Sequence, residues 1–255
     1  MTSASDMLLE PLAMPVAHPP ADSAPARLVD LSQAPQELLA ASVIRLSREH
    51  VPGFFYLGRR PYLPVWALQK QIHALRVADE LPDTVLLLEH DPVYTLGKNS
   101  GDRHLLQNRP GDAEVVWTDR GGDITYHGPG QLVGYPIVKL SNRQAGVSRY
   151  LRDLERAIIA ALDSYGVSAG QIQGLTGVWI NGRKVAALGV RLARWTTLHG
   201  FAINVDVSMA YFDGIVPCGI LEYGVENLSE LLPKAPTPKE LAQRLMTHIT
   251  PMLDA

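Results

Sequence analysis

Thr84-Val85-Leu86-Leu87-Leu88-Glu89 is an unbroken apolar run, with Pro82-Asp83 before it and Asp91-Pro92 after it. A strand with one wet face alternates polar and apolar residues. A continuous run of this length reads instead as a strand buried on both faces, in the interior of a sheet. Working upstream, Val65, Leu68, Ile72 and Leu75 share one helical face behind Pro64 in a first turn, and Phe54-Phe55-Tyr56-Leu57 reads as another strand. Strand, helix and strand in that order make a βαβ-like start. Before it, Leu38, Leu39, Val43 and Leu46 pattern a short helix within 34–50 that ends ahead of Pro52-Gly53. Residues 1–26 repeat proline and alanine with too few large apolar groups to offset chain entropy, and read as a disordered tail. Residues 27–53 are then an N-terminal extension to a single domain over 54–255.

Downstream, residues 114–118 and 131–138 read as strands on either side of a glycine-dense loop. Val147, Leu151, Leu154, Ile158 and Leu162 mark the clearest helix, stopped at Gly166. Asn181-Gly182 between two apolar runs is a type I′ hairpin signal, pairing Trp179 with Lys184 and Val178 with Val185. A strand follows over 197–205. Thr237 and Glu240 around Pro238 form a capping box that opens a last helix through Leu241, Leu245 and Ile249.

With 255 residues, 46% of them hydrophobic, the chain can bury a large core. A formal charge of −3 supplies no global basic field, which argues against nucleic-acid binding. No apolar run approaches the ~20 residues of a membrane helix, and the start lacks a secretory signal. One cysteine cannot form an internal disulfide, and with 8 histidines it offers no cysteine-based zinc cage. The expectation is a cytoplasmic protein with no metal.

Two residues and one loop stand out chemically. Cys218 lies between Pro217 and Gly219, on backbone that is rigid before it and free to turn after it, as a presented nucleophile requires; a buried small hydrophobe is the other reading. Lys184 follows the hairpin turn, and period-two alternation puts it on a face with Ala186, Leu188 and Val190. Partial desolvation there lowers a lysine pKa; a solvated lysine past a turn is the alternative. The loop Arg120-Gly121-Gly122-Asp123-Ile124-Thr125-Tyr126-His127-Gly128-Pro129-Gly130-Gln131 concentrates glycine with polar groups. That is backbone built for close approach to a carbonyl or anion, without the Gly-Lys-Ser/Thr ending of a nucleotide P-loop.

Five ordered runs together carry a resemblance. They are Glu89 to Gly97, Arg120-Gly-Gly through His127-Gly-Pro-Gly-Gln131, Lys184-Val-Ala-Ala-Leu-Gly-Val-Arg191, His199-Gly-Phe-Ala-Ile-Asn204 and Val216-Pro-Cys-Gly219. Spanning about Phe54 to Leu231, they closely resemble the lipoyl(octanoyl) transferases. The resemblance implies an α/β (α+β) fold like that of the biotin and lipoate protein ligases: a mixed β-sheet with packed helices and a smaller flanking sheet. It implies that 54–255 is a catalytic acyltransferase domain. Its reaction moves an octanoyl group from octanoyl-acyl carrier protein to a lysine of a lipoyl domain, in 2-oxoacid dehydrogenases and glycine cleavage H protein, as the first step of endogenous lipoylation. By the same resemblance Cys218 is the nucleophile that carries the acyl group as a thioester and Lys184 its proton-transfer partner. Residues 120–127, Ala187, Leu188 and Gly189, and Gly200, Phe201 and Ala202 match substrate-binding segments.

Exchange of one thioester for another followed by amide formation needs no ATP and no cofactor. The competing reading in the same fold is an ATP-dependent lipoate or fatty-acid ligase acting through an acyl-adenylate. A cysteine hydrolase with His127 or His199 as base, and a non-enzymatic carrier-binding protein, are further alternatives. Arg183, Arg191 and Arg194 are candidates for steering acidic partners.

Overall fold

The computed structural model describes residues 26–49, 52–101, 104–140, 146–215 and 224–253. The apolar run at 84–89 becomes β3 (Thr84–His90), interior to a seven-stranded mixed sheet. Its parallel neighbour is β2 (Gly53–Arg60), joined to it through α2 (Tyr62–Val77), and β1 (Leu28–Asp30) adds outside β2, also parallel. On the other side of β3 lie β7 (Gln131–Ile137), β10 (Thr196–Asn204), β9 (Arg183–Ala193) and β8 (Val178–Ile180), each antiparallel to the one before it. A second sheet places β4 (Val93–Leu96) between β5 (Glu114–Trp117) and β6 (Ile124–His127).

The absence of alternation in β2 and β3 has a direct cause, because both faces of the sheet are covered. Phe54, Val85 and Leu87 pack with Leu154, Ile158 and Leu162 of α3 (Gly146–Asp163) and with Leu241, Leu245 and Ile249 of α5 (Pro238–Leu253). Phe55, Leu86 and Leu88, one residue out of phase, pack with Leu39 and Val43 of α1 (Gln36–Ser47) and with Val65, Leu68 and Ile72 of α2. The segment 27–53, set apart in the sequence reading, thus contributes a strand to the main sheet and a helix to its second core. Residues 1–25 of the expected tail lie outside the described residues. Among those described, no helix is long and apolar enough to cross a membrane.

Three expectations are corrected. The loop 120–131 contains a strand, β6, paired antiparallel to β4 from Val93↔His127 to Leu96↔Ile124. Both strands are only four residues long, too short for a periodic signal. In the hairpin, Asn181 (φ 49°) and Gly182 (φ 79°) make the expected turn and Trp179 faces Lys184, but Val178 pairs with Ala186, not Val185. The extra residue is Val185, between the Trp179–Lys184 and Val178–Ala186 pairs, while Lys184 N–H donates to Gly224 O at 2.9 Å and Lys184 O accepts from Glu226 N–H at 2.9 Å. One residue of β9 is thus left without a partner in β8, which makes a bulge. Finally, the bulge breaks the expected alternation, and Val185 and Ala186 are both fully buried in the core.

Candidate active site

A cavity of about 360 Å³ opens where β9 and β10 meet the loop that leads into β6. The loop can lie against β9 because position 189 has no side chain: a Cβ on Gly189 would stand 2.9 Å from Gly121 O. Gly121 N–H donates to Val190 O at 3.0 Å, and Lys98 N–H and Asn99 N–H donate to Arg120 O and Gly122 O, so the loop main chain is tied on both sides. Arg120, Gly121, Gly122, Asp123, Ile124, Thr125 and His127 all line the cavity. So do Lys184, Ala187, Leu188, Gly189, Gly200, Phe201 and Ala202. Four separated segments of the sequence reading therefore meet at one space. Tyr126 is the exception. Its ring stacks on Tyr211 at 4.4 Å within a separate cluster with Tyr94 and Ile215, because strand alternation turns it away from Thr125 and His127.

One end of the cavity is polar, and its hydrogen bonds run in one direction. Asn204 Nδ2 donates to Glu226 O at 3.1 Å, so Asn204 Oδ1 accepts from Gln131 Nε2 at 2.9 Å, and Gln131 Oε1 accepts from His127 Nδ1 at 2.8 Å. That order leaves His127 Nε2 as the acceptor facing Thr95 Oγ1 at 3.4 Å. The Arg120 guanidinium holds Thr95 in turn, donating to Thr95 O at 2.6 Å and Thr95 Oγ1 at 3.0 Å. Burial pushes His127 down to about 3. His90, which donates through Nδ1 to Arg60 O and accepts at Nε2 from Tyr135 OH at 2.7 Å, is pushed down by burial to about 4. His127 is therefore a neutral connector and a poor general base, which disfavours the hydrolase reading built on it.

His199 is held differently. Its Nε2 donates to Asp119 Oδ1 at 2.7 Å, its main-chain N–H donates to Gln69 Oε1, and its backbone sits at φ 60°. Burial drives its pKa down against the pull of Asp119. Burial acts to raise the Asp119 carboxyl, but His199 and Arg191 together bring it below its usual value. Arg191 is thus tied to Asp119, and Arg183 to Glu226 at 3.3 Å, so two of the three arginines expected to steer partners are already paired with carboxylates.

Lys184 reaches the cavity along a fixed path. Its ammonium lies 4.7 Å from the centre of the Trp179 ring, and its Cε would stand 3.1 Å from a Cβ on Gly177. Its main chain is bonded to Gly224 and Glu226, where the chain returns from residues 216–223. Cys218 lies in that segment, outside the described residues. Among the described residues no three His, Cys, Asp or Glu side chains converge on a metal site.

Several lining residues escaped the sequence reading. Val147 and Leu151 were assigned to the packed face of α3, yet they line the cavity. Gln131 and Asn204 close two of the quoted runs and received no role there, although each is a buried polar residue at the end of a strand. Tyr62 and Tyr135 had no usable signal, since aromatic residues in such elements read equally well as core.

Comparison with known proteins adds to this geometry. The family described as "Lipoyl protein ligase A/B catalytic domain" matches residues 61–250. The chain is 49% identical to a protein named Octanoyltransferase from Rubrobacter xylanophilus, across 69% of this chain and 81% of the relative. It is 45% identical to one of the same name from Thermobifida fusca, across 79% of this chain and 89% of that one. Among solved structures, lipoate-protein ligase A bound with ATP superposes with a TM-score of 0.59 at 14% identity, covering 76% of this chain and 84% of that one. A structure of a bi-partite lipoate protein ligase and its E2 lipoyl domain from Thermoplasma acidophilum gives 0.59 at 14% identity, covering 79% and 83%. At such identities the structural likeness is one of fold.

Proposed function

The chain belongs to the lipoyl protein ligase A/B catalytic-domain family, and on that premise we propose that it acylates protein through an acyl-cysteine on Cys218 with Lys184 as proton carrier. It is an acyltransferase that moves an octanoyl group in protein lipoylation, in keeping with relatives at 45–49% identity named Octanoyltransferase. The ATP-dependent ligase alternative is not favoured, because the neighbours carrying that name share only the fold. The donor in our reading is octanoyl-acyl carrier protein. The acceptors are lipoyl domains of 2-oxoacid dehydrogenases and of glycine cleavage H protein, and the setting is the reducing cytoplasm that a lone reactive cysteine suits.

The observation that supports the dyad most directly is the anchoring of Lys184. Its side chain lines the cavity, while its main chain is bonded to the residues that follow the segment carrying Cys218. In the first step the Cys218 thiolate attacks the donor thioester carbonyl. The carbon–sulfur bond to the carrier breaks, and the carrier thiolate leaves with a proton from the Lys184 ammonium. In the second step the acceptor lysine amine attacks the Cys218 thioester and gives its proton to Lys184. The amide forms, and the Cys218 thiolate leaves, ready for another turnover. The acyl tail lies among Val147, Leu151, Leu188 and Phe201, where each buried methylene contributes ~0.8 kcal/mol.

Intact mass after incubation with octanoyl-acyl carrier protein, without ATP, tests this. We expect one octanoyl adduct on the wild type and none on Cys218→Ala. Activity that survives in Cys218→Ala and requires ATP would overturn the proposal in favour of the ligase.

A further inference from the structure

Phe201 does double duty in the fold. Its ring belongs to the packed core with the fully buried Leu132 and Ile203, and it also lines the cavity. It stands opposite Gly134 of β7 in the β7–β10 ladder. Gly134 lies inside a strand with neighbours on both sides, where a glycine weakens the sheet unless something must come close. Here the ring of Phe201 comes close. Its Cζ stands 2.0 Å, and its Cε1 and Cε2 2.5 Å, from where a Cβ on residue 134 would be. The tip of the ring occupies the space that a side chain at 134 would take.

We propose that Gly134 is a specificity-determining position for the acyl chain: by leaving its Cβ space empty it lets the Phe201 ring withdraw into the sheet, and so sets the depth of the cavity. The inference rests on the reading that this cavity receives the octanoyl tail. A methyl group at 134 forces the ring tip from 2.0 Å out to an ordinary contact of at least 3.4 Å, a retreat of about one carbon–carbon bond. The packed core does not yield to a ring. The cavity is the open space that the ring borders, so the ring moves into it and shortens it. Gly134 acts through Phe201 and touches no substrate itself.

The test is the ratio of kcat/KM for hexanoyl- and octanoyl-acyl carrier protein, measured on one acceptor lipoyl domain. We expect Gly134→Ala to raise the hexanoyl-to-octanoyl ratio about fourfold for each methylene excluded. Phe201→Leu should raise the decanoyl-to-octanoyl ratio, and the double variant should return toward the wild-type profile, since the smaller side chain makes room for the methyl. Loss of activity by Gly134→Ala equally across chain lengths, or an unchanged profile, overturns the proposal. Should Gly134→Ala fail to fold, an unchanged profile in Phe201→Leu overturns it as well. A wild type that transfers no octanoyl at all sinks the functional reading instead, so the two failures are told apart.

Discussion

His127 and His90 show how burial decides what a residue can do. Each imidazole is neutral in the fold because burial pushes its pKa down, to about 3 and about 4, whereas an unfolded chain binds the proton near 6.5. The folded pKa being the lower one, the unfolded state holds more protons below pH 6.5. Stability is then full above that value and is lost as pH falls toward 4. We expect a loss on the order of 2 kcal/mol per imidazole between pH 6.5 and 5. Urea midpoints at pH 7 and pH 5 would measure it, and His127→Gln should flatten the dependence; equal midpoints in the wild type would refute it. Asp30 works in a separate window. The hydrogen bond from Lys239 holds its carboxyl down to about 2, so its contribution goes only below the ordinary carboxylate range.

Elements were legible where their signals are local. The capping box at the start of α5 is present as expected: Thr237 N–H donates to Glu240 Oε2 at 2.7 Å, and Glu240 N–H donates to Thr237 Oγ1 at 3.2 Å. Replacing Thr237 by Ala removes one of these caps and should cost about 1 kcal/mol, read as a lower urea midpoint with an unchanged denaturant slope. No change in midpoint would mean that packing of Leu241 and Leu245 alone holds the helix start. The hairpin turn was legible for the same reason, since Asn181-Gly182 determines its own backbone. The bulge beyond it was not, because Val185, the residue left unpaired in the ladder, looks in sequence like any other apolar strand residue.

At the scale of the molecule, the second core depends on a helix outside the family match. Leu39 of α1 is almost wholly buried, against the sheet face formed by Phe55, Leu57 and Leu86. We expect Leu39→Ala to lower stability by roughly 2–5 kcal/mol, measured by denaturant unfolding; a loss under about 0.5 kcal/mol would mean that α1 merely rests on the fold. The long buried strands β2, β3, β7 and β10, the amphipathic helices, the turn and the cap could be read from the chain, because each follows from periodicity or from side-chain chemistry within a few residues. Segments from three of the five runs, 120–131, 184–191 and 199–204, contribute to the cavity wall. Tertiary structure alone decided which face each residue serves. It turned Tyr126 away from the cavity, moved Val147 and Leu151 into its wall and set Phe201 over Gly134. It also tied Arg191 and Arg183 to carboxylates. Those outcomes depend on contacts between residues far apart in the chain, whose distances and burial exist only once the sheets have packed.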